Sequence, residues 1–210
     1  VTTTVFLVRH AVHDRVGTVL CGRMPGVALG PVGHIQAEAL GIRLRDEGIQ
    51  ALYSSPMQRC LETARVVGHS LALTPRQAEA ANEIDFGAWT GRDFATLAGD
   101  PLWERWNTQR DTASPPGGET MAAAAARILS LLEVLRQRHP EGRVAVVSHG
   151  DVIKAALGHY LGLPLQAYGR FDIDPGSVSA LTLWEGGGKV LQMNEVPAAT
   201  DEPRHHGGMA

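Results

Sequence analysis

Two short apolar runs in this chain each end on a histidine. Val5-Phe6-Leu7-Val8 leads into Arg9-His10, and Val144-Ala145-Val146-Val147 leads into Ser148-His149-Gly150. A continuous apolar run of this length suits a strand buried on both faces of a parallel sheet. In open α/β sheets ligands bind beyond the carboxyl ends of the strands. If the two strands are neighbours, His10 and His149 face each other across roughly 5 Å, the spacing of adjacent strands. Arg9 stands beside the first histidine. Arg59 arrives from another direction, in the first turn of a helix that follows a short strand over 51–54. Helix N-termini favour anions, because free N–H groups and the helix dipole point at them. The helix opening at Gly150 supplies a second such terminus. Two arginines, two histidines and two helix ends converging on one spot describe a pocket for a phosphoryl group. The plainer alternative is that Arg9 and His10 mark where a strand surfaces and that His149 bonds a backbone carbonyl. The repetition of the same placement at two strand tips favours chemistry.

The elements that must position these residues alternate. After the first strand a loop over 11–31 carries four glycines and two prolines, long for an α/β connection and of the kind that is often functional. A helix is expected over 32–47, closed by Gly48, with Ile35, Ala39 and Ile42 in its apolar stripe. Ser55-Pro56 reads as N-cap and first residue of the next helix, to about 71. A third strand is expected near 76–80, then a loop over 82–91. Residues 92–110 read as helical in part, and Trp103 and Trp106 at i,i+3 suit a cap packed on the body. Ser114-Pro115-Pro116-Gly117-Gly118 is a break too short to link domains. The most regular helical pattern covers 119–139, where Ala124, Ile128, Leu131, Leu132 and Leu135 recur at helical spacing. The strand 144–147 is followed by a helix over 151–161. Two strands, 178–185 and 189–196, are joined by a glycine turn as an antiparallel pair. Alternation of this kind gives a largely parallel sheet with helices on both faces.

Composition narrows the class. A formal charge of -3 offers no strong field for nucleic acid or an acidic membrane. Cys21 and Cys60 are the two cysteines, which suits a reducing cytosol better than a disulfide framework. No apolar run reaches transmembrane length and no signal peptide is evident, so a cytoplasmic protein is expected. Residues 1–197 are expected to form one domain, with 92–118 as a cap insertion, and 198–210 to be a disordered tail. A homodimer is the commonest prior for oligomeric state.

Five ordered stretches resemble the histidine phosphatase superfamily, the phosphoglycerate-mutase-like proteins. They are Leu7-Val8-Arg9-His10, Ser54-Ser55-Pro56-Met57-Gln58-Arg59-Cys60-Leu61-Glu62-Thr63-Ala64, Glu83-Ile84-Asp85-Phe86-Gly87-Ala88-Trp89-Thr90-Gly91, Pro116-Gly117-Gly118-Glu119 and Val147-Ser148-His149-Gly150. The resemblance implies a three-layer α/β/α sandwich around a mostly parallel sheet of about six strands, one of them antiparallel. It implies that His10 is the nucleophile, that Arg9, Arg59 and His149 hold the phosphoryl oxygens, and that Glu83 protonates the leaving oxygen. Gly22, in Cys21-Gly22-Arg23, is a weaker candidate for contacting substrate through its backbone. The implied function is hydrolysis of a small phosphomonoester through a phosphohistidine, with no metal and no cofactor.

Each implied role is chemically apt. A neutral imidazole is a good nucleophile, and covalent catalysis splits one hard displacement into two. Guanidinium groups match phosphoryl geometry and stabilise an in-line transition state. An alkoxide leaves poorly without a proton donor. Asp85 competes with Glu83 for that role, since in an extended segment both point to the same side. The chain also departs from the family pattern. Ala11 stands where glycine is usual, and a backbone needing positive φ there would resist alanine. The polar loop residue that usually helps bind phosphate is missing from Val12-His13-Asp14-Arg15-Val16, and His13, Arg15 or Arg23 is left as its possible replacement. Phosphoglycerate mutase activity is the runner-up, disfavoured because Arg92, Arg105 and Arg110 are dispersed. A zinc enzyme built on His10, His13, Asp14 and His149 and an inactive phospholigand-binding module are further alternatives.

Overall fold

The computed structural model describes residues 1–198; residues 199–210, nearly all of the expected tail, lie outside the described residues. Among the described residues one sheet of six strands runs in the order β3-β2-β4-β1-β5-β6. The strands are β1 (Thr3–Arg9), β2 (Ala51–Ser54), β3 (Arg76–Gln77), β4 (Arg143–Ser148), β5 (Val178–Trp184) and β6 (Gly187–Glu195). β1 pairs in parallel with β4, Arg9 opposite Ser148, so the two histidine-bearing tips end side by side. β2 joins the other side of β4, also in parallel. β5 runs antiparallel to β1, and β6 antiparallel to β5. The expected mostly parallel sheet with an antiparallel strand is therefore present.

Alternate residues of the central strands enter two different cores. Val5, Leu7, Val144 and Val146 pack with Ile128, Leu132 and Leu135 of α5 (Met121–Arg138) and with Val152 and Ile153 of α6 (Gly150–Tyr160). Phe6, Val8, Ala145 and Val147 pack on the opposite face with Leu40 and Leu44 of α1 (Pro31–Leu44) and with Ala64 and Val67 of α2 (Gln58–Leu71). This is why β1 and β4 read as unbroken apolar runs: both sides of each strand are covered. Each fully buried Val or Leu here contributes roughly 1.5–3 kcal/mol, which fixes the register that aligns the strand tips.

Several elements differ from the sequence expectation. The buried face of α1 is Gly33, Ala37, Ala39, Leu40, Gly41 and Leu44, while Ile35 and Ile42 are half exposed. Small residues let α1 approach α2 closely: a Cβ on Gly41 would lie 2.4 Å from Ser70 Oγ. α2 starts at Gln58 with Met57 as its N-cap; the Ser55 hydroxyl accepts from the Met57 N–H at 3.3 Å and also meets His149 Nε2 at 2.8 Å. Arg59 is still in the first turn. The third strand is only two residues long, and the chain then turns into a 3-10 helix at Glu79–Ala81. A 3-10 segment at Leu165–Arg170 has no apolar periodicity to announce it.

Residues 92–118 fold over the strand tips. They contain α3 (Phe94–Leu97) and α4 (Pro101–Thr108). Asp100 caps α4 by accepting from the Leu102 N–H at 2.9 Å. Trp106 is fully buried, edge-on to Phe86 and Trp89 at centroid distances of 6.1 and 6.4 Å. Trp103 stands edge-on to Trp89 at 5.3 Å and also lines the cavity below.

Candidate active site

The backbone at the tip of β1 orients His10. Its N–H donates to the Ser148 carbonyl at 3.0 Å, and its carbonyl accepts from the Gly176 N–H at 3.1 Å. The imidazole Nδ1–H donates to the Ala11 carbonyl at 2.9 Å. That bond leaves the Nε2 lone pair free. Burial, then the charges of Arg59 and Arg9, hold the His10 pKa well below the ordinary imidazole range. The ring is therefore neutral at pH 7, as a nucleophile requires. Ala11 causes no strain: it is absent from the residues with positive φ, and its N–H donates to Thr63 Oγ1 at 3.0 Å.

His149 faces His10 with ring centroids 5.3 Å apart. Its Nδ1 accepts from Arg59 Nη2 at 3.0 Å. The proton then sits on Nε2 and is donated to Ser55 Oγ at 2.8 Å. Burial, followed by Arg59 and His10, pushes its pKa well down. Arg59 is only 2% exposed and also donates to the Gly22 carbonyl at 2.8 Å. Its Nε and Nη1, together with Arg9 Nε, are buried and have no hydrogen-bond partner among the described residues. Arg9 is tied down by a short hydrogen bond from Nη1 to the Ile173 carbonyl. Unpaired guanidinium N–H groups in a closed site are costly unless an anion fills them.

Glu83 completes the cluster. Its Oε2 lies 3.5 Å from His149 Nδ1, and its Oε1 accepts from the Ile84 N–H at 2.9 Å. Burial first, and then the neighbouring Asp151 charge, raise its pKa to about 7. Asp85 is turned away. Its carboxylate caps the Gly87 N–H at 2.9 Å, sits 4.0 Å from Arg23 and is 46% exposed. It does not line the cavity.

Two stretches distant in sequence are stitched together to hold this acid. Ala88 N–H donates to the Pro116 carbonyl at 3.0 Å, and Glu119 N–H to the Asp85 carbonyl at 2.7 Å. Gly87 has φ +50°, and a Cβ there would lie 2.2 Å from the Pro116 oxygen, so backbone meets backbone. Glu119 in turn pairs with Arg23 at 3.2 Å and Arg127 at 2.7 Å. Both arginines donate to the Glu83 carbonyl, at 2.8 and 3.1 Å.

The cavity over these groups has a volume of about 350 Å³ and is lined by Arg9, His10, Gly22, Arg59 and Glu83 from the expected set. His149 lies immediately beneath, fully buried. The structure thus brings together all six residues singled out from the sequence. No group of three or more His, Cys, Asp or Glu among the described residues is arranged to hold a metal ion, and no described helix is long and apolar enough to cross a membrane.

The sequence profile of the histidine phosphatase superfamily (branch 1) matches residues 5–196. The chain belongs to this family. It is 30% identical over 193 residues to phosphoserine phosphatase 1 of Hydrogenobacter thermophilus, covering 90% of each chain. Among solved structures it resembles Bacillus stearothermophilus YhfR, with a TM-score of 0.88 and 26% identity over 94% of this chain and 100% of that one. It also resembles a mycobacterial glucosyl-3-phosphoglycerate phosphatase solved with VO3, with a TM-score of 0.83 and 26% identity over 91% of this chain and 98% of that one. The phosphoglycerate-mutase-like fold is shared with these structures.

This member of the histidine phosphatase superfamily also carries groups to which the sequence assigned no role at the site. Ser55 fixes the His149 tautomer, and Arg127 clamps the Glu83 backbone. In the Ser54–Ala64 stretch Ser55 reads as a helix cap. The far half of the cavity holds Arg110, Asp151, Lys154 and Tyr168. Arg110 donates to Asp151 at 3.0 Å and stacks between Trp106 and Tyr168 at 4.3 and 3.9 Å. These come from three separate segments, and no short motif joins them.

Proposed function

We propose that the chain is a phosphatase that hydrolyses a small phosphomonoester through a phosphohistidine at His10, without a metal. His10 Nε2 attacks phosphorus, the ester P–O bond breaks, and Glu83 gives its proton to the departing oxygen. The Glu83 carboxylate then takes a proton from water as that water attacks phosphorus. The P–N bond breaks, and phosphate and neutral His10 are restored. Arg9 and Arg59 hold the phosphoryl oxygens throughout, His149 steadies Arg59 from beneath by accepting from its Nη2 rather than touching the phosphoryl group itself, and residues 92–118 act as a cap on the 1–197 domain.

The observation that carries this reading is the set of buried, unpartnered guanidinium N–H groups of Arg9 and Arg59 around the free Nε2 of His10. Charge agrees with it. With His10 and His149 neutral and Glu83 protonated, Arg9 and Arg59 contribute two positive charges, the complement of a phosphomonoester dianion. The far half of the cavity, with Arg110 and Lys154 beside Asp151, Asp172 and Asp174, suits a charged or zwitterionic leaving group. The named relative makes phosphoserine the first compound to try.

The test is a screen of phosphorylated metabolites for phosphate release, with vanadate as inhibitor and His10→Ala as control. Release by the wild type, inhibition below millimolar vanadate and loss in the variant are expected. Conversion of 3-phosphoglycerate to 2-phosphoglycerate without released phosphate, or a fully active His10→Ala enzyme, would overturn the proposal.

A further inference from the structure

The loop that follows the nucleophile contains a third imidazole. His13 is 7% exposed, lines the same cavity, and its ring lies 5.4 Å from that of His10 at a tilt of 31°. Its Nδ1 accepts from the Arg15 N–H at 3.3 Å. An accepting Nδ1 places the ring proton on Nε2. That Nε2–H has no hydrogen-bond partner among the described residues.

We infer that His13 Nε2–H is a phosphoryl-binding donor in this chain, pairing with an oxygen of the group held over His10; the inference rests on the phosphatase reading above. The geometry removes the two other polar candidates in this loop region. Arg15 reaches out to Met24 Sδ at 3.9 Å, on the exposed side. Arg23 is committed to the Glu83 carbonyl and to Glu119 at 2.8 and 3.2 Å. Neither lines the cavity. Burial, and then Arg59 and Arg9, bring the His13 pKa down to about 4, against the weaker pull of Asp14. A neutral ring donates one hydrogen bond without adding a third positive charge. It therefore contributes to binding the transferring group while leaving the product phosphate less tightly held than an additional cation would.

His13 also packs against His10, so the test must separate donation from ring packing. The purified full chain is compared with His13→Phe, which keeps the ring and loses the donor, and His13→Gln, which keeps a donor. The readouts are the inhibition constant of vanadate, kcat/KM for the best phosphoester, and Tm. His13→Phe is expected to weaken vanadate about 10–100-fold, the range for a lost hydrogen bond to a charged group, with His13→Gln restoring most of it. A vanadate constant within about twofold of wild type in His13→Phe would overturn the assignment, on the same scale. So would equal impairment in both variants, because ring packing alone would then explain the loss. If His13→Phe does not fold, nitrogen-15 spectra of the wild type decide: vanadate must shift the His13 Nε2 resonance, and no shift refutes the assignment. A wild type that neither hydrolyses phosphoesters nor binds vanadate sinks the phosphatase reading itself, a distinct result.

Discussion

Replacing Glu83 by Gln keeps the side-chain shape and a carbonyl able to accept from the Ile84 N–H, now 2.9 Å away, but removes the proton that the leaving oxygen needs. On an alkyl phosphate, kcat/KM should fall about 10²–10⁴-fold, or roughly 3–5 kcal/mol of transition-state stabilisation. On p-nitrophenyl phosphate, whose leaving group departs as a stable phenolate, the first step should be close to wild type. Stopped-flow mixing should show a rapid burst of nitrophenolate followed by slow turnover, because water attack still lacks its base. The pH profile carries the same logic. Glu83 is protonated below its pKa of about 7, and the protonated form is the active one, so activity on the alkyl ester falls as pH rises through that value. Roughly nine tenths of the free enzyme is competent at pH 6 and about one tenth at pH 8. A bound dianion repels the carboxylate and moves the corresponding limb of kcat higher still. Ionisation of the substrate, near pH 6, shapes the acidic side instead. Asp85→Asn is the control and should leave both substrates unaffected, since Asp85 faces Arg23 and the Gly87 N–H. An Asp85→Asn enzyme with the larger loss, or a Glu83→Gln enzyme equally impaired in the first step on both substrates, would refute the assignment.

Two further outcomes follow from the scaffold. Gly87→Ala forces a Cβ to within 2.2 Å of the Pro116 oxygen at a φ of +50°, which should cost about 1–3 kcal/mol or more of stability. Thermal unfolding should show a Tm several degrees lower, and an unchanged Tm would mean that the two stretches are not stitched as described. Ser55→Ala removes the acceptor of the His149 Nε2–H; kcat/KM should drop about tenfold, the scale of one buried hydrogen bond, while an unaltered value would show that this tautomer does not need fixing.

The legible parts of the chain are those where burial alone dictates residue type. β1 and β4 are covered on both faces, so they are apolar throughout, and the polar residues ending them stand out. The packing face of α1 escapes a hydrophobic pattern because it depends on small residues. Gly33, Ala37 and Gly41 bury against neighbours without looking hydrophobic, and Ile35 and Ile42 look hydrophobic without being buried. Ser55 reads only as a helix cap, a role its bond from the Met57 N–H partly keeps, and nothing local reveals its partner at His149. Glu83 and Asp85 could not be separated in sequence, because the backbone between them is not an extended strand and only one carboxylate turns inward. The Arg110, Lys154 and Tyr168 cluster was invisible for a simpler reason: three segments contribute one residue each, and only the folded chain brings them together.

The central position of β1 has a consequence for how the chain is made. Thr4, near its start, has its parallel partner at Arg143 and its antiparallel partner at Thr182. At ribosomal rates of about 5–20 residues per second, β1 emerges roughly 7–28 seconds before β4 exists to pair with it. β2 waits for the same strand, through Ala51 opposite Val144. One late segment therefore joins both sides of the sheet, and β1 and β2 stay without their shared partner until it arrives. The wall around Arg9 comes later still, because Ile173 and Ser177, which bond Arg9, follow β4 in the chain. The surroundings of Arg9 are therefore complete only once residue 177 has left the ribosome.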